Sequence, residues 1–347
     1  MCALTVCNYF DDFCNVDGRR AAPSGKSSLA AVAKFLGGGF GVAKSVSPGS
    51  QRPFVGVFNR LDIVATHGAM TCEPREQLRQ DIGEEAAERL RQGVCTAAQA
   101  SKLRGRAGFA ATNLFARCGR LCMGPLKQRQ YTDKCRGIAR GGQLEGALSH
   151  LARVVPMARP RSISMWSAEA EPILVYSDAA WPSEMDGESA ITVPRIGWVV
   201  MVPGHQPQAF TCVANASIIS RLAPRKQQIM ALEAFAAVAA PWISPELFQG
   251  RDILWFIDNE SAISSLVRGS SRPEDIDHIA AMATVQALRH SFRPWYEWID
   301  SKSNPSDGLS RLGAEDPWTV AQGWHVTDLG DKSWDKLFSD LAPLYAY

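Results

Sequence analysis

Four acidic residues stand at positions where they could hold metal ions. Asp178 and Asp258 each follow a run of apolar residues rich in β-branched and aromatic side chains, so each is expected at the end of a buried strand. Glu233 lies inside an apolar helical run, and Asp307 begins a last predicted helix. Four carboxylates brought to one place can hold two divalent cations, which is what two-cation phosphodiester chemistry requires.

The local sequences around these carboxylates resemble one family. Asp178 lies in YSDAAW, Glu233 in QIMALEAFA, Asp258 in FIDNESA and Asp307 in NPSDGLSR. In this order they look like the ribonuclease H domain of retroelement polyproteins. The resemblance covers roughly residues 168–313, and four ordered matches are far more specific than any one of them.

The resemblance implies hydrolysis of the RNA strand of an RNA–DNA hybrid at a site with two Mg²⁺ ions, which Mn²⁺ could replace. Asp178 would bridge the ions, Glu233 and Asp258 would ligate one, and Asp307 the other. Structural alternatives exist, with Glu233 as a surface helix residue and Asp258 and Asp307 as helix N-caps. For Glu233 the alternative is weak, because its helical neighbours are apolar and an unpaired carboxylate among them would be costly.

The resemblance also concerns the substrate. Many family members carry a His before the last Asp to assist product departure, but residues 300–304 contain none, and Lys302 is the candidate substitute. RNA would be selected through its 2′-hydroxyl groups. The candidate residues for these contacts are Ser177, Asn259 and Asn304.

A cationic block interrupts an otherwise acidic chain. The net charge is +2, yet residues 102–161 hold 13 Lys and Arg against two acidic residues, a net charge of +11 that leaves −9 for the rest. Such a block could track nucleic-acid phosphates, or it could be an ordinary solvated helical face, and composition does not separate the two. The candidate nucleic-acid contacts in the block are Lys102, Arg106, Arg117, Arg120, Lys127 and Arg129.

The amino-terminal residues 9–13, YFDDF, resemble the Tyr-x-Asp-Asp signature of reverse transcriptases. Asp11 and Asp12 would be cation ligands of a polymerase remnant, although paired Asp residues are also ordinary turn chemistry. Only ten residues precede Asp11. We therefore expect polymerisation only when an amino-terminal polymerase segment or a separate chain completes this part.

Length and composition fit two or three packed domains, since the chain has 347 residues and is 46% hydrophobic. Its nine cysteines include no CxxC pair and no secretory signal is evident, which predicts an intracellular, reducing compartment, either cytoplasm or nucleus. The longest apolar run contains Glu233 and Pro241, so no membrane partner is expected. The oligomeric state is not predicted.

The elements that must position the carboxylates follow from hydrophobic periodicity. Thr96 and Gln99 predict a capping box before a helix with an apolar stripe, which Pro125 is expected to end. Near the start of the chain, residues 38–44 and 54–58 are predicted strands. Farther on, the predicted strands are 173–178, 195–201, 208–214, 252–258 and 295–299, and the predicted helices are 224–240, 259–267 and 274–292.

This order predicts a mixed α/β fold. It is a ribonuclease H-like five-stranded mixed sheet with flanking helices, preceded by a mostly helical thumb or connection and a small palm-remnant sheet. The predicted domains are a partial polymerase palm at 1–70, a basic helical thumb or connection at 71–152, a linker at 153–167, a ribonuclease H-like domain at 168–313 and an unplaced appendage at 314–347.

Two readings of function stay open at this point. The favoured one is a retroelement fragment that hydrolyses the RNA of a hybrid. The rival is a nucleic-acid-binding remnant whose carboxylates no longer catalyse, since one sequence does not separate a working element from a decayed copy.

Overall fold

The computed structural model describes residues 5–9, 12–16, 20–38, 47, 49–164, 171–182 and 193–345. The chain divides into two compact units. The first comprises Met1–Arg75 with Pro160–Ser167, and the second comprises Glu76–Arg159 with Ala168–Tyr347.

The first unit begins with two short strands that include parts of the YFDDF segment. Strands β1 (Thr5–Tyr9) and β2 (Asp12–Val16) pair antiparallel, with Tyr9 opposite Asp12. Asp11 lies outside the described residues, so the two carboxylates of the polymerase signature are not placed relative to one another. Helix α1 (Ala22–Phe35) follows.

A four-stranded antiparallel sheet completes the first unit and corrects two predictions. Residues 54–58 are not one strand but two strands joined at Val55 and Gly56, which both have positive φ. Residues 153–167 are not wholly a linker, because 161–164 form the last strand of this sheet. The predicted strand at 38–44 falls almost entirely outside the described residues. The sheet consists of β3 (Gln51–Phe54), β4 (Val57–Arg60), β5 (Ala69–Pro74) and β6 (Arg161–Ser164), with α2 (Val64–His67) before β5.

The second unit is built on a six-stranded mixed sheet. Strands β7 (Ile173–Ala180), β8 (Arg195–Met201) and β9 (Gln208–Val213) form an antiparallel meander, and β10 (Asp252–Ile257) and β11 (Arg293–Trp298) add in parallel beside β7. Its strand order is β11-β10-β7-β8-β9-β12, where β12 (His325–Asp328) pairs in parallel with β9. The structure confirms the predicted mixed α/β class, but the sheet has six strands rather than five.

The sixth strand comes from the segment that sequence patterns left unplaced. After β12, three residues are buried in the main hydrophobic core: Trp334, which directly precedes the last helix, and Leu337 and Leu341 within it. The ring of Trp334 meets that of Phe235 edge-on at 5.4 Å between centroids. Residues 314–345 therefore contribute a strand to the sheet and side chains to the core, and they are not a separate appendage.

The cationic block is helical, as predicted, but its first helix does not continue to Pro125. Thr96 and Gln99 form the predicted capping box. The helix ends at Thr112, and Pro125 lies in the first turn of a new helix, where a missing N–H costs no hydrogen bond. The twelve helices described in this unit are α3 (Glu76–Gln92), α4 (Ala97–Thr112), α5 (Met123–Tyr131), α6 (Gln143–Arg153), α7 (Ala216–Ile219), α8 (Ile229–Ile243), α9 (Pro245–Phe248), α10 (Glu260–Arg268), α11 (Glu274–His290), α12 (Asp307–Leu312), α13 (Pro317–Ala321) and α14 (Asp335–Tyr345). Short 3₁₀ turns occur at Phe115–Arg117, Arg120–Cys122, Ser301–Ser303 and Gly313–Glu315.

One hydrophobic core spans the second unit. Leu103, Leu121 and Leu148 from the helical block belong to the same buried cluster as Phe235 and Trp255 beside the sheet. The regions predicted as a helical connection at 71–152 and a ribonuclease H-like domain at 168–313 thus share packing from residue 76 onward. No helix in the described part of the chain is both long and apolar enough to cross a membrane.

Gly197 lets α12 lie directly on the sheet. In the β7–β8 register it stands opposite Asp178. A Cβ at this position would come within 2.8 Å of both the Leu309 Cβ and the Ser310 backbone nitrogen, which is closer than real contacts allow. The absence of a side chain at Gly197 is therefore what brings the start of α12 beside Asp178.

Replacing Gly197 with Ala should destabilise the protein by about 1–3 kcal/mol, because the added methyl group overpacks against the backbone of α12. Urea unfolding followed by circular dichroism measures the change. Gly105→Ala is the matched control, since Gly105 lies in α4 with no atom near its missing Cβ, and it should be neutral or slightly stabilising. Equal stability of Gly197→Ala and the native protein would contradict the packing described for α12.

Candidate metal centre

Three of the four predicted carboxylates meet at one place. Asp178 on β7, Glu233 on α8 and Asp258 immediately after β10 each offer an oxygen, and these oxygens all lie within 4.8 Å of one another. Strands β7 and β10 are parallel neighbours, so their carboxyl ends lie at the same edge of the sheet. Helix α8 runs through the core with Glu233 in its second turn, facing that edge.

Two of these carboxyl groups have raised pKa values when no cation is present. Burial raises the pKa of Glu233 to about 9, and the nearby charges of Asp258 and Asp178 add to this effect. Burial also raises the pKa of Asp178 to about 7, opposed by a hydrogen bond from Ser310. Like charges in a buried site cannot all ionise without compensation.

The described hydrogen bonds of the group leave a buried oxygen of Glu233 without a donor. The Ser310 hydroxyl donates to Oδ2 of Asp178, and the Asn259 amide donates to Oε1 of Glu233 at 3.4 Å. Oε2 of Glu233 is buried and has no hydrogen-bond partner among the described residues. An orphaned buried carboxylate oxygen beside two other carboxylates is the donor set that a hard divalent cation takes.

Neighbouring backbone groups are fixed by side chains around the three acids. Asn304 donates to the Ser177 carbonyl oxygen at 3.0 Å, and the Trp255 indole donates to the Ser177 hydroxyl at 2.9 Å. The Trp298 indole donates to the Asp258 carbonyl oxygen at 3.2 Å. These bonds position the strand ends that carry the carboxylates, which favours a site that is organised before any ligand binds.

Asp307 stands beside the three acids without joining them. It is the first residue of α12, and its carboxylate pairs with Arg311 at 2.8 Å, one helical turn on. The charges of Asp307 and Arg311 both act on Asp178, the former raising and the latter lowering its pKa. The ligand role predicted for Asp307 therefore stays a prediction.

Two of the three predicted 2′-hydroxyl contacts are corrected by the structure. Ser177 is fully buried, with both its hydroxyl and its carbonyl already hydrogen-bonded. Asn304 is also buried, since its amide holds Ser177 while its Oδ1 accepts from the backbone N–H and hydroxyl of Ser306. Asn259 is half-buried and caps α10, so of the three it alone keeps an exposed edge.

Arg129 is likewise corrected as a phosphate contact. Its side chain is only 4% exposed, and its guanidinium donates to Asp133 and to the carbonyl oxygens of Cys95 and Gly137. All of its donor nitrogens are thus engaged in holding the end of α5. A guanidinium in this position stabilises the fold and does not reach a phosphate.

The other basic candidates differ in what they already bind. Lys102 pairs with Glu85 at 3.2 Å, and Arg106 pairs with Glu85 and with Asp81 at 2.8 and 2.6 Å. Arg117 donates to the Val267 carbonyl oxygen at 2.9 Å, whereas Lys127 is exposed. Two of the 13 basic side chains of the block, Lys102 and Arg106, are therefore neutralised by acids of α3.

Sequence reasoning missed three residues that shape the site. These are Ser310, which donates to Asp178, Arg311, which pairs with Asp307, and Gly197, which admits α12. An isolated Gly in an otherwise apolar strand is a signal of close approach and could have identified Gly197. Ser310 lies within the NPSDGLSR segment, but the segment does not predict its contact with Asp178, because that contact depends on the position of α12 on the sheet.

Comparisons with known proteins find structural likeness only. No family model matches the sequence, and no curated protein matches it. The chain resembles RNase H1 of the halophilic archaeon Halobacterium salinarum NRC-1, with 16% identity and a TM-score of 0.30 over 42% of this chain and 98% of that one. It resembles the N-terminal RNase H domain of rv2228c from Mycobacterium tuberculosis, solved as a fusion with maltose-binding protein, with 15% identity and a TM-score of 0.29 over 43% and 97%.

A third likeness extends over more of the chain. It is to the protease–reverse transcriptase dRH of a foamy virus in complex with double-stranded DNA, with 14% identity and a TM-score of 0.35 over 84% of this chain and 46% of that one. The assignment of the fold rests on the strand order and register described above.

Replacing Glu233 with Gln should stabilise the cation-free protein at alkaline pH. Because the folded-state pKa of Glu233 is about 9 against an ordinary 4.5, the unfolded chain loses this proton first. The native protein therefore loses stability as pH rises from about 4.5 to about 9. The variant should lack this part of the slope, with a Tm at pH 8 higher by at least about 2 °C.

Thermal unfolding in chelator at pH 4.5, 6, 7 and 8 measures this effect. Glu246→Gln, at an exposed glutamate of α9, serves as the control and should follow the native curve. A pH dependence that is the same in Glu233→Gln and the native protein would contradict a buried, neutral Glu233.

Proposed function

We propose that this protein hydrolyses phosphodiester bonds in the RNA strand of an RNA–DNA hybrid, using divalent cations held by its carboxylates. The observation that carries the proposal is the cluster of Asp178, Glu233 and Asp258, in which one buried oxygen of Glu233 accepts no hydrogen bond from a described residue. Such a group is costly in a protein that binds no cation there. The order of these acids in the sequence supports the same reaction class.

Asp178, Glu233 and Asp258 would hold the cations, with Mg²⁺ as the expected ion and Mn²⁺ as a replacement. When bound, two such ions would lower the pKa of a water molecule and neutralise charge on the leaving 3′ oxygen. The hydrolysis then breaks the bond between phosphorus and the 3′ oxygen. It leaves a 3′-hydroxyl and a 5′-phosphate.

The chain's own residues prepare this site by orienting its carboxylates. The Ser310 hydroxyl fixes one oxygen of Asp178, and the Asn259 amide fixes one oxygen of Glu233, so each acid presents its other oxygen to the centre. The raised pKa of Glu233, about 9, means that cation binding must displace a proton. Affinity for the cation should therefore increase with pH.

Asp307 and Arg311 form the most adjustable part of the site. Their ion pair is half-exposed, and α12 carries both residues. We assign Asp307 as the ligand of a second ion, which would require its carboxylate to exchange Arg311 for the cation. Arg311 would then be released toward the substrate phosphate.

The nucleic-acid partner and the retroelement origin belong to the same proposal. What supports the origin is the sequence itself, through the four motifs around the acids and the YFDDF segment at residues 9–13. RNA-directed polymerisation is proposed only for this chain completed by a polymerase segment or chain. Asn259 is the remaining candidate for a 2′-hydroxyl contact, because it keeps an exposed edge beside Asp258.

Asp178→Asn and Asp258→Asn should each reduce cleavage of a labelled RNA–DNA hybrid by at least about 100-fold, since each removes a ligand from a charge-stabilised centre. Cleavage is followed on denaturing gels with Mg²⁺, with Mn²⁺ and with chelator. Asp331→Asn, at an exposed acid beyond β12, is the matched control and should cleave like the native protein.

Two outcomes would count against this function. Cleavage that persists unchanged in Asp178→Asn would show that the site lies elsewhere. Absence of cleavage by the native protein with either metal, together with tight hybrid binding, would favour the rival reading of a catalytically silent binding protein.

A further inference from the structure

A separate group of basic residues lines an open pocket of about 410 Å³ in the second unit. Arg120 begins a short turn of the helical block, and Arg268 is the last residue of α10. Ser270 follows two residues later. The lining is completed by Gly108 and Met123, so no acidic side chain is part of it.

The two guanidinium groups have no acidic partner in the described part of the chain. Neither Arg120 nor Arg268 takes part in an ion pair or a side-chain hydrogen bond there, unlike Lys102, Arg106 and Arg129. Two like charges around one pocket repel each other unless an anion joins them. The planar donors of Arg match the oxygens of a phosphate group, and the Ser270 hydroxyl can add a further donor.

The pocket is joined to the metal centre by one short helix. Asn259, which follows Asp258, caps the start of α10, and Arg268 ends it. At 1.5 Å per residue, this nine-residue helix spans about 13 Å, or roughly four base-pair steps of 3.4 Å. Arg117 donates to the Val267 carbonyl oxygen at 2.9 Å and so fastens the helical block to the last turn of α10.

We propose that Arg120, Arg268 and Ser270 bind one backbone phosphate of the nucleic acid, a few nucleotides from the phosphate at the carboxylates. Helix α10 then sets the spacing between the gripped phosphate and the site of reaction. The inference rests on the proposed function for the identity of the substrate, but not for the existence of the phosphate pocket.

Binding tests the pocket without any need for cleavage. The full chain in chelator is titrated with a labelled RNA–DNA hybrid at several salt concentrations. The double variant Arg120→Gln/Arg268→Gln should bind about tenfold more weakly at low salt and show a log–log salt slope shallower by about 1–2. Arg140→Gln/Arg153→Gln removes two exposed charges of the same block outside the pocket and should have a clearly smaller effect.

A second binding experiment distinguishes a specific phosphate pocket from nonspecific attraction by positive charge. Hybrids carrying a single uncharged methylphosphonate are scanned along each strand around the scissile bond. A methylphosphonate at one position, within about four nucleotides of the scissile bond, should weaken binding to the native chain. The same modification should leave the affinity of the Arg120/Arg268 double variant unchanged. Uniform effects at every position, or equal losses in the two double variants, would overturn the proposal.

The source of the phosphate is tested in parallel with inorganic phosphate alone. A Tm increase with millimolar phosphate that is lost in the Arg120/Arg268 double variant, while hybrid binding is unaffected by the same substitutions, would mean that the pocket serves a free phosphate and would overturn our proposal. If no hybrid is cleaved but the position-specific effect is found, the pocket stands and the proposed hydrolysis fails. Circular dichroism melting confirms that each variant is folded.

Discussion

The packing of the second unit must overcome the mutual repulsion of the clustered carboxylates. Asp178, Glu233 and Asp258 lie within 4.8 Å of one another, where water can no longer separate their charges. Only elements that are well packed elsewhere can hold such a group together. Helix α8 meets this requirement because every residue from Ala231 to Pro241 is buried, so Glu233 cannot swing away without disrupting the core.

The surrounding structure limits where a compensating charge can come from. Arg311 is engaged with Asp307 at the rim, and the buried Oε2 of Glu233 has no donor among the described residues. A Lys or Arg side chain in the centre would make the group an ordinary ion-pair network, but none of the described residues supplies one. The carboxylates can then be neutralised by protons or by an external cation. The raised pKa of Glu233 is therefore directly connected to ligand binding.

The sequence predicted the parts of this arrangement that depend on local pattern. Alternating and continuous apolar runs located the five principal strands, and the order of the acids identified three carboxylates that the structure brings together. What it did not predict depends on contacts between distant segments. The burial of Arg129 follows from the carbonyl groups of Cys95 and Gly137 around it, and the burial of Asn304 follows from its bond to Ser177. The sequence could have predicted α14 as a helix packed on the core, because apolar residues recur there at helical spacing, at Trp334, Leu337, Phe338 and Leu341.

The position of β12 and α14 has a consequence for how the chain folds as it is made. Strand β9 finds its outer neighbour more than a hundred residues later, and Phe235 finds Trp334 only after almost the whole unit has been synthesised. Contacts at such sequence separation form slowly and late. Until then a nascent chain exposes the edge of β9 and an incomplete core, which are surfaces prone to aggregation and recognised by chaperones. The core beside α8, the helix that carries Glu233, is therefore completed only after Trp334 and α14 have been synthesised.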